Sequence, residues 1–338
     1  MQRRPTSFDI AALAGVSQPT VSRALSGNPS VSAETRARVL AAAEELHYKV
    51  DKNASGLRRQ LSRTLALLFF EEPSSDESLI NPFYLSMLGP MVRQCAVHGY
   101  DLLISFQQLS SDWHVDYEDS RKADGIILLG YGDYLEYLPK LEQLIERGTH
   151  FVRWGSGDES QIGTTVSSDN EQGGFDATSH LLSKGRRKIA FIGTAEAGCP
   201  EFLERWRGYC RALRAAGLEP DDELRADAGP SESEGREALE RLLDRGVEFD
   251  AIFAVSDVTA IGAMHALQAI GRGVPEVAVV GFDDIPAASL SSPALTTVAQ
   301  DPRQAAEALI ETVIAAIEGD GVPNRVLPVR LTVRQSSG

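Results

Sequence analysis

Residues 64–338 alternate short apolar runs, which have the length of β-strands, with longer stretches of helical period. The apolar runs lie at 65–70, 100–105, 125–129, 150–153, 188–193, 250–255, 277–282 and 295–298. The helical stretches lie near 83–98, 134–147, 171–184, 202–216, 233–246, 258–271 and 302–318. Continuous apolar strands separated by helices predict parallel sheets, because each such strand is buried beneath helices on both faces.

The alternation is interrupted around 160–168, where the run Gly163-Thr164-Thr165-Val166 is interpreted as a crossover, and it then starts again. Two similar lobes joined by repeated crossings predict a hinged two-lobe α/β domain of the periplasmic-binding-protein type over 64–338. The first lobe is expected to hold about 64–165 and 296–325, and the second about 166–295 and 326–338.

The first fifty residues have a different pattern, that of three short helices. Gly15 is placed to end the first helix in a left-handed conformation. Ser17 and Ser32 are placed to cap the second helix, over 18–25, and the third. A Gly-Val-Ser turn between the first two helices predicts a lambda-repressor-like helix-turn-helix domain over 1–50.

The second of these helices is expected to enter the major groove of DNA by its N-terminal end. Its inward side chains are predicted to be Val21, Ala24 and Leu25. Gln pairs with adenine, and Arg with guanine, through two hydrogen bonds each. The predicted DNA-binding residues of this domain are Thr6, Ser17, Gln18, Pro19, Thr20, Ser22, Arg23 and Asn28. The alternative for any single one of them is a place on a solvated helix face.

The charge distribution supports this assignment, although the net charge of −15 at first argues against nucleic acid. Residues 1–63 hold ten basic and five acidic residues, whereas the remainder holds 23 basic and 43 acidic residues. A basic head on an acidic body indicates that only the head meets DNA, and that the body repels the duplex.

Residues 51–63 are expected to form a hinge helix and a linker. Leu57 is bulky and apolar, has Arg58 beside it, and follows Gly56, which makes a helix weak at this point. A short basic helix with one exposed leucine is typical of a minor-groove wedge that folds on DNA. The alternative is a linker in which Leu57 packs on the next domain.

Several motifs occur in an order and at a spacing that are characteristic of one family. They are 10–17, 20–25, the spaced residues Tyr48, Ala54 and Leu57, then 81–84, 168–170, 185–190, Arg205 with Gly208-Tyr209, 256–257, 279–284 and 295–298. The chain therefore resembles the lactose-repressor (LacI-type) family of bacterial transcription regulators over about 330 residues. It departs from the family pattern at Pro19, Val50-Asp51 and Trp154.

The resemblance implies a homodimer that binds a palindromic double-stranded operator. In that family the second helix reads one half of the palindrome, and the two hinge leucines open a central base step. Ala54, Leu57 and Arg58 are therefore added to the expected DNA contacts. Because the C-terminal residues contain no leucine heptads, a dimer is favoured over a tetramer.

The effector is expected at the carboxyl ends of the strands, where open parallel sheets bind ligands. Asp257 and Asp283 both follow strands, and the resemblance implies that Arg205 and Asp283 contact the ligand. Carboxylate and guanidinium groups suit a polyol such as a sugar or glycoside, with a nucleobase as the fallback. The predicted effector-binding residues are Asn81, Phe83, Trp154, Arg205, Asp257, Phe282 and Asp283. The alternative role for Asp257 is to cap the helix that follows it. The alternative for Trp154 is a place in the hydrophobic core.

Other function classes have little support in the sequence. No metalloprotease, serine-hydrolase or phosphate-loop motif is present, and the six histidines lack ligand spacing, so neither an enzyme nor a metal site nor a cofactor is expected. The three cysteines have no CxxC spacing. No apolar run is long enough to cross a membrane, and no export signal is recognised, so a cytoplasmic location is expected. A sugar-binding transport protein is the alternative for the body taken alone.

Overall fold

The computed structural model describes residues 5–25, 28–46, 61–69, 80–106, 112–130, 133–158 and 162–338. The chain divides into two units, Met1–Ser62 and Arg63–Gly338, which are described separately. We call the first the headpiece and the second the body. In the part of the chain that the structure describes, no helix combines the length and apolar character needed to cross a membrane.

The headpiece contains α1 (Ser7–Ala14), α2 (Gln18–Leu25) and α3 (Ala33–Glu45). Gly15 ends α1 with φ 65°, a left-handed conformation that glycine adopts without a steric cost. Ser32 caps α3 by accepting a hydrogen bond from the Thr35 amide. The predicted helices and these two end signals are confirmed.

The small headpiece core is built mainly from alanine and β-branched side chains, which lets the three helices approach closely. Its buried members are Ile10, Ala11, Ala14, Val21, Ala24, Val39, Ala42 and Ala43. Leu25 and Leu46 pack against it and are partly buried. Leu40 of α3 has half of its surface exposed.

The body contains two six-stranded sheets. The strands are β1 (Thr64–Phe69), β2 (Asp101–Phe106), β3 (Gly125–Leu129), β4 (Phe151–Trp154), β5 (Thr164–Ser168), β6 (Ile189–Ile192), β7 (Arg225–Ala226), β8 (Ala251–Ala254), β9 (Ala278–Asp283), β10 (Thr296–Ala299), β11 (Arg325–Leu327) and β12 (Arg330–Thr332). The first sheet has the order β11-β5-β4-β3-β1-β2, and the second β12-β10-β9-β8-β6-β7. Every pairing is parallel except that of β10 with β12.

The body helices are α4 (Pro82–Val97), α5 (Tyr134–Glu146), α6 (Asn170–Ser183), α7 (Pro200–Ala215), α8 (Glu232–Asp244), α9 (Asp257–Ala269), α10 (Pro286–Leu290) and α11 (Pro302–Glu318). Strand β1 illustrates why they are needed on both faces. Leu65, Leu67 and Phe69 enter one apolar cluster, whereas Ala66 and Leu68 enter another on the opposite face. The predicted parallel α/β architecture with two lobes is confirmed.

The chain crosses between the two sheets at places other than those expected. The stretch around 160–168 was interpreted as a crossover, but β5 lies in the first sheet, so the first crossing follows Ser168. Likewise β10 lies in the second sheet rather than the first, and the whole of β11 lies in the first sheet, although the expected boundary after residue 325 fell within it. Short strands such as β11 and β12 carry too few residues to show a period, and only their neighbours define them.

Close helix crossings in the second lobe depend on pairs of glycines. Where α6 crosses α7, a Cβ on Gly174 would lie 2.2 Å from the Arg205 carbonyl oxygen, and one on Gly208 would lie 2.0 Å from that of Glu171. Glycine is therefore required on both helices at this crossing. This contact fixes the position of α7 against α6, and with it the position of Arg205.

Replacing Gly208 by Ala is expected to destabilise the body by about 1–3 kcal/mol, because the added methyl group forces the two helices apart. Urea unfolding of the full chain measures this change. Arg207→Ala, at the exposed neighbouring position, is the control and should change the free energy of unfolding by less than about 0.5 kcal/mol. Equal values for the two variants would contradict the close crossing.

Candidate functional site

The N-terminal end of α2 presents a polar surface, as expected of a helix that reads DNA. Val21 and Ala24 are buried, which confirms the predicted inward face. The remaining predicted contacts divide into two groups by exposure. Ser17, Pro19, Arg23 and Asn28 are exposed, and Thr6, Gln18, Thr20 and Ser22 are half-buried.

Some of these side chains also hold the headpiece together. The Thr6 amide and hydroxyl both donate to the Asp9 carboxylate at 2.7 Å, which ties down the start of α1. The Asn28 side-chain oxygen accepts from the Ser30 amide at 2.9 Å and so organises the turn before α3. Gln18 donates to the Ser7 hydroxyl at 3.3 Å. Ala54, Leu57 and Arg58, the expected hinge contacts, lie outside the described residues.

In the body, the side chain of Arg205, a member of the predicted effector site, is fully buried. Its Nε donates to the Asn170 side-chain oxygen at 2.9 Å, and its Nη1 donates to the Val255 carbonyl oxygen. The same nitrogen lies 3.9 Å from Oδ1 of Asp283. A buried guanidinium is tolerated only with such a set of partners, which hold it in one orientation.

Asp283 ends β9 in a conformation with φ 117°, which side-chain-bearing residues rarely adopt. Its Oδ1 accepts a hydrogen bond from Nε2 of the Gln300 side chain at 2.6 Å. Gln300, which follows β10, was not identified from the sequence, because a glutamine after a short strand carries no distinctive signal. Its side-chain oxygen is buried without a hydrogen-bond partner among the described residues. Such an atom at the carboxyl ends of strands is suited to a ligand hydroxyl.

Asp257 has a structural role that neither expectation described. The N-cap of α9 is Ser256, so Asp257 does not cap the helix. Its two carboxylate oxygens accept from the Thr297 hydroxyl at 2.5 Å and from the Ile285 amide at 2.9 Å. Burial, and secondarily the nearby Asp283, hold the pKa of Asp257 well above its usual value.

The three predicted aromatic residues differ in their surroundings. The Phe282 ring is fully buried beneath Arg205, whose guanidinium carbon lies 3.7 Å from the ring centroid. Phe282 therefore supports the arginine, and a ligand cannot stack on it in this conformation. Phe83 and Trp154 are buried together in the first lobe, with ring centroids 5.7 Å apart. Asn81 caps α4 through its oxygen, while its amide nitrogen is buried without a partner among the described residues.

Trp154 also lines a cavity between the two lobes, which encloses about 330 Å³ including its opening to solvent. Most of this space is the opening itself, and the part away from bulk solvent has room for about one water molecule. The cavity is lined by Gly130, Tyr134, Tyr137, Leu141, Arg153, Trp154, Pro200 and Glu201. Glu201 and Arg205 are four residues apart on α7 and therefore lie on the same side of that helix.

Arg153 and Glu201 give this cavity buried groups of opposite charge, from different lobes. Burial raises the pKa of Glu201, whereas it lowers the pKa of Arg153, and the attraction between the two groups opposes both shifts. Neither residue was predicted, because a charged residue on an amphipathic helix or in a short strand is usually solvated. Among the described residues, no cluster of three or more His, Cys, Asp or Glu side chains is arranged to hold a metal ion.

Comparison with known proteins agrees with both parts of the structure. The model of bacterial regulatory proteins of the lacI family matches residues 8–51, and that of the periplasmic binding protein-like domain matches 178–337. The transcriptional regulator CelR of Thermobifida fusca is 34% identical over 347 aligned residues, which cover 99% of each chain. The chain belongs to the LacI family.

Solved structures of LacI-type proteins have the same fold. A CelR–cellobiose complex has 32% identity and a TM-score of 0.73, covering 98% of this chain and 100% of that one. A Lac repressor dimer bound to operator and the anti-inducer ONPF has 24% identity and a TM-score of 0.83, covering 99% of each chain. The LacI-family chain is thus a DNA-binding transcription regulator, and not the transport-type protein considered as an alternative.

Replacing Asp257 by Asn is expected to flatten the dependence of stability on pH. In the folded chain this carboxyl binds its proton more tightly than in the unfolded chain, where an aspartate has a pKa of about 3.9. The stability linked to this proton is present below the unfolded pKa and is lost as the pH rises through the raised folded pKa.

Urea unfolding at a series of pH values from about 4 upward measures this linkage. The free energy of unfolding should fall less steeply with rising pH for Asp257→Asn than for the wild type. The exposed Asp222→Asn is the control and should keep the wild-type slope. Identical slopes for all three proteins would contradict a raised pKa of Asp257.

Proposed function

We propose that this LacI-family regulator is a repressor that binds a palindromic operator as a homodimer and is switched by a saccharide. Residues 1–50 would bind DNA, 51–63 would form the hinge, and 64–338 would bind the effector and the second subunit. Its place of action would be the cytoplasm, where a bacterial regulator meets chromosomal DNA. It would act by binding alone, without catalysis.

The observation that carries the saccharide assignment is the buried pair of Arg205 and Asp283 at the carboxyl ends of the strands. A guanidinium donates and a carboxylate accepts, so the pair can hold two hydroxyl groups of one sugar ring. The amide groups of Asn81 and Gln300 offer a further donor and a further acceptor. Trp154 and Tyr134 provide the aromatic wall that sugar rings use.

The similarity to CelR supports the same class of ligand, because the related structure holds cellobiose. A nucleobase, the other effector considered from the sequence, has less support from these comparisons. We therefore choose cellobiose as the first probe.

Selection of bound duplexes from a random DNA pool, repeated with cellobiose and other saccharides, tests the proposed function. Recovery of a palindrome whose binding changes with one saccharide would support it. Recovery of a palindrome that no saccharide affects would reject the effector class, and recovery of no sequence under any condition would reject operator binding.

Arg205→Ala and Asp283→Asn are expected to keep operator affinity but to reduce the response to the saccharide at least about tenfold, because each removes a charged hydrogen-bonding partner. Titration of a labelled operator, with and without the saccharide, measures the response. Arg211→Ala, on the exposed side of α7, is the control. A normal response in both site variants would reject the site.

A second subunit is proposed to pack on the edge of the first sheet. Strand β2 is an edge strand, and α4 packs beside it. Together they expose the apolar side chains Leu85, Val92, Leu103, Ile104 and Phe106. An exposed apolar edge strand promotes association unless another surface covers it. A copy of the same chain fits, because a two-fold dimer matches a palindromic operator.

Ile104→Asp is expected to weaken the dimer at least about tenfold and to lower operator affinity, since it places a charge in the apolar contact. Sedimentation equilibrium and operator titration measure the two effects. Ile145→Asp, at a similarly exposed isoleucine on α5, is the control and should remain dimeric. If Ile104→Asp also remained fully dimeric, the subunit contact would lie elsewhere.

A further inference from the structure

We infer that Ser156 and Glu204 form a link by which closure of the two lobes positions Arg205. The inference rests on the proposed role of Arg205 in effector binding. It assigns to these two residues the coupling between the effector site and the relative position of the lobes. Glu204 is thus a positioning residue, since it acts on the ligand through Asn170 and Arg205.

The first step of the link crosses between the lobes. Ser156 follows β4 of the first lobe and is fully buried, while Glu204 lies on α7 of the second lobe. The Ser156 hydroxyl donates to Oε1 of Glu204 at 2.5 Å. The same hydroxyl oxygen accepts from the Asp158 amide at 3.0 Å, which leaves its proton directed at the carboxylate.

The second step connects Glu204 to the place where the chain crosses between the lobes. Its other oxygen, Oε2, accepts from Nδ2 of Asn170 at 3.1 Å. Asn170 is the first residue of α6, immediately after the first crossing, and it also donates to the Ser168 carbonyl oxygen at 3.1 Å. Asn170 is therefore held from both sides of the crossing.

The last step reaches the effector site. The side-chain oxygen of Asn170 accepts from Nε of Arg205 at 2.9 Å. Ser156, Glu204, Asn170 and Arg205 thus form one continuous chain of hydrogen bonds from the first lobe to the buried guanidinium. Because an amide has a fixed arrangement of donor and acceptor, rotation of Asn170 would disturb its bonds to Glu204 and Arg205 together.

The charge of Glu204 makes this link sensitive to lobe separation. Burial raises the pKa of Glu204, while its bonds to Ser156 and Asn170 oppose the shift. A half-buried carboxylate that loses one hydrogen-bond donor is destabilised until water or another donor replaces it. Opening of the lobes would move the Ser156 hydroxyl away from Glu204. Only the closed arrangement therefore keeps all the hydrogen bonds of Glu204, and through Asn170 the orientation of Arg205.

Another contact between the lobes provides a comparison. The Tyr134 amide of the first lobe donates to the Gly198 carbonyl oxygen of the second at 2.9 Å, without a hydrogen bond to this chain of residues. General loosening of the lobes would affect both contacts. Loss of the Ser156–Glu204 link alone should affect the segments around Asn170 and Arg205 first.

The test uses the full chain, its selected operator and cellobiose as the probe. The variants are Ser156→Ala, Glu204→Ala and the conservative Glu204→Gln, with Ser183→Ala and Glu219→Ala as exposed controls. Calorimetry gives the affinity for cellobiose, and operator titration with and without cellobiose gives the coupling factor. Urea unfolding reports on stability separately.

Ser156→Ala and Glu204→Ala are expected to reduce the coupling factor about fivefold or more. Glu204→Gln should retain most of it, because the amide can accept from Asn170 and donate to the Ser156 hydroxyl. The exposed controls should behave like the wild type. Lowered stability with an unchanged coupling factor in both alanine variants would overturn the inference.

If the wild type binds neither cellobiose nor any other saccharide of the panel, the proposed effector class fails. Hydrogen exchange of the protein without ligand then tests the Ser156–Glu204 link. Faster amide exchange over 168–171 and 203–206 in Ser156→Ala, with unchanged exchange at Tyr134, would support the link. Unchanged exchange in those two segments would overturn it. The two proposals can therefore fail independently.

Discussion

The buried charge of Arg205 is the interaction on which the rest of the second lobe depends. Its partners come from α6, from the end of β8 and from the end of β9, and Phe282 lies directly beneath it. A guanidinium without these partners would be strongly destabilising at this depth. Because every partner comes from a different element, the correct position of the charge requires the correct assembly of the whole lobe.

The backbone geometry around this charge is equally restrictive. Glycines at the crossing of α6 and α7 bring the two helices so close that Asn170 and Arg205 can form a direct hydrogen bond. The same arrangement recurs where α8 crosses α9, since a Cβ on Gly262 would lie 2.0 Å from the Glu232 carbonyl oxygen. At both crossings, a residue larger than glycine would require one of the helices to move.

The distribution of charge and of apolar surface fits a regulator of the LacI family. The basic headpiece carries the polar face of α2, while the acidic body holds the proposed effector site and the apolar edge of the first sheet. A ligand changes operator affinity only by its different affinity for the two states of the body. The hydrogen-bonded chain from Ser156 to Arg205 is a structural element that would differ between such states.

The sequence by itself determined the helix-turn-helix, the long parallel strands and the place of Asp283 after a strand, because period, end signals and apolar runs are local properties. It also identified Arg205, through resemblance to the family. Only the tertiary structure decided where the chain crosses between lobes, that Phe282 lies beneath the arginine, and that Glu201, Glu204 and Arg153 face inward. The reason is physical: these features depend on contacts between residues far apart in the chain, and a buried charge has the same local sequence pattern as a solvated one.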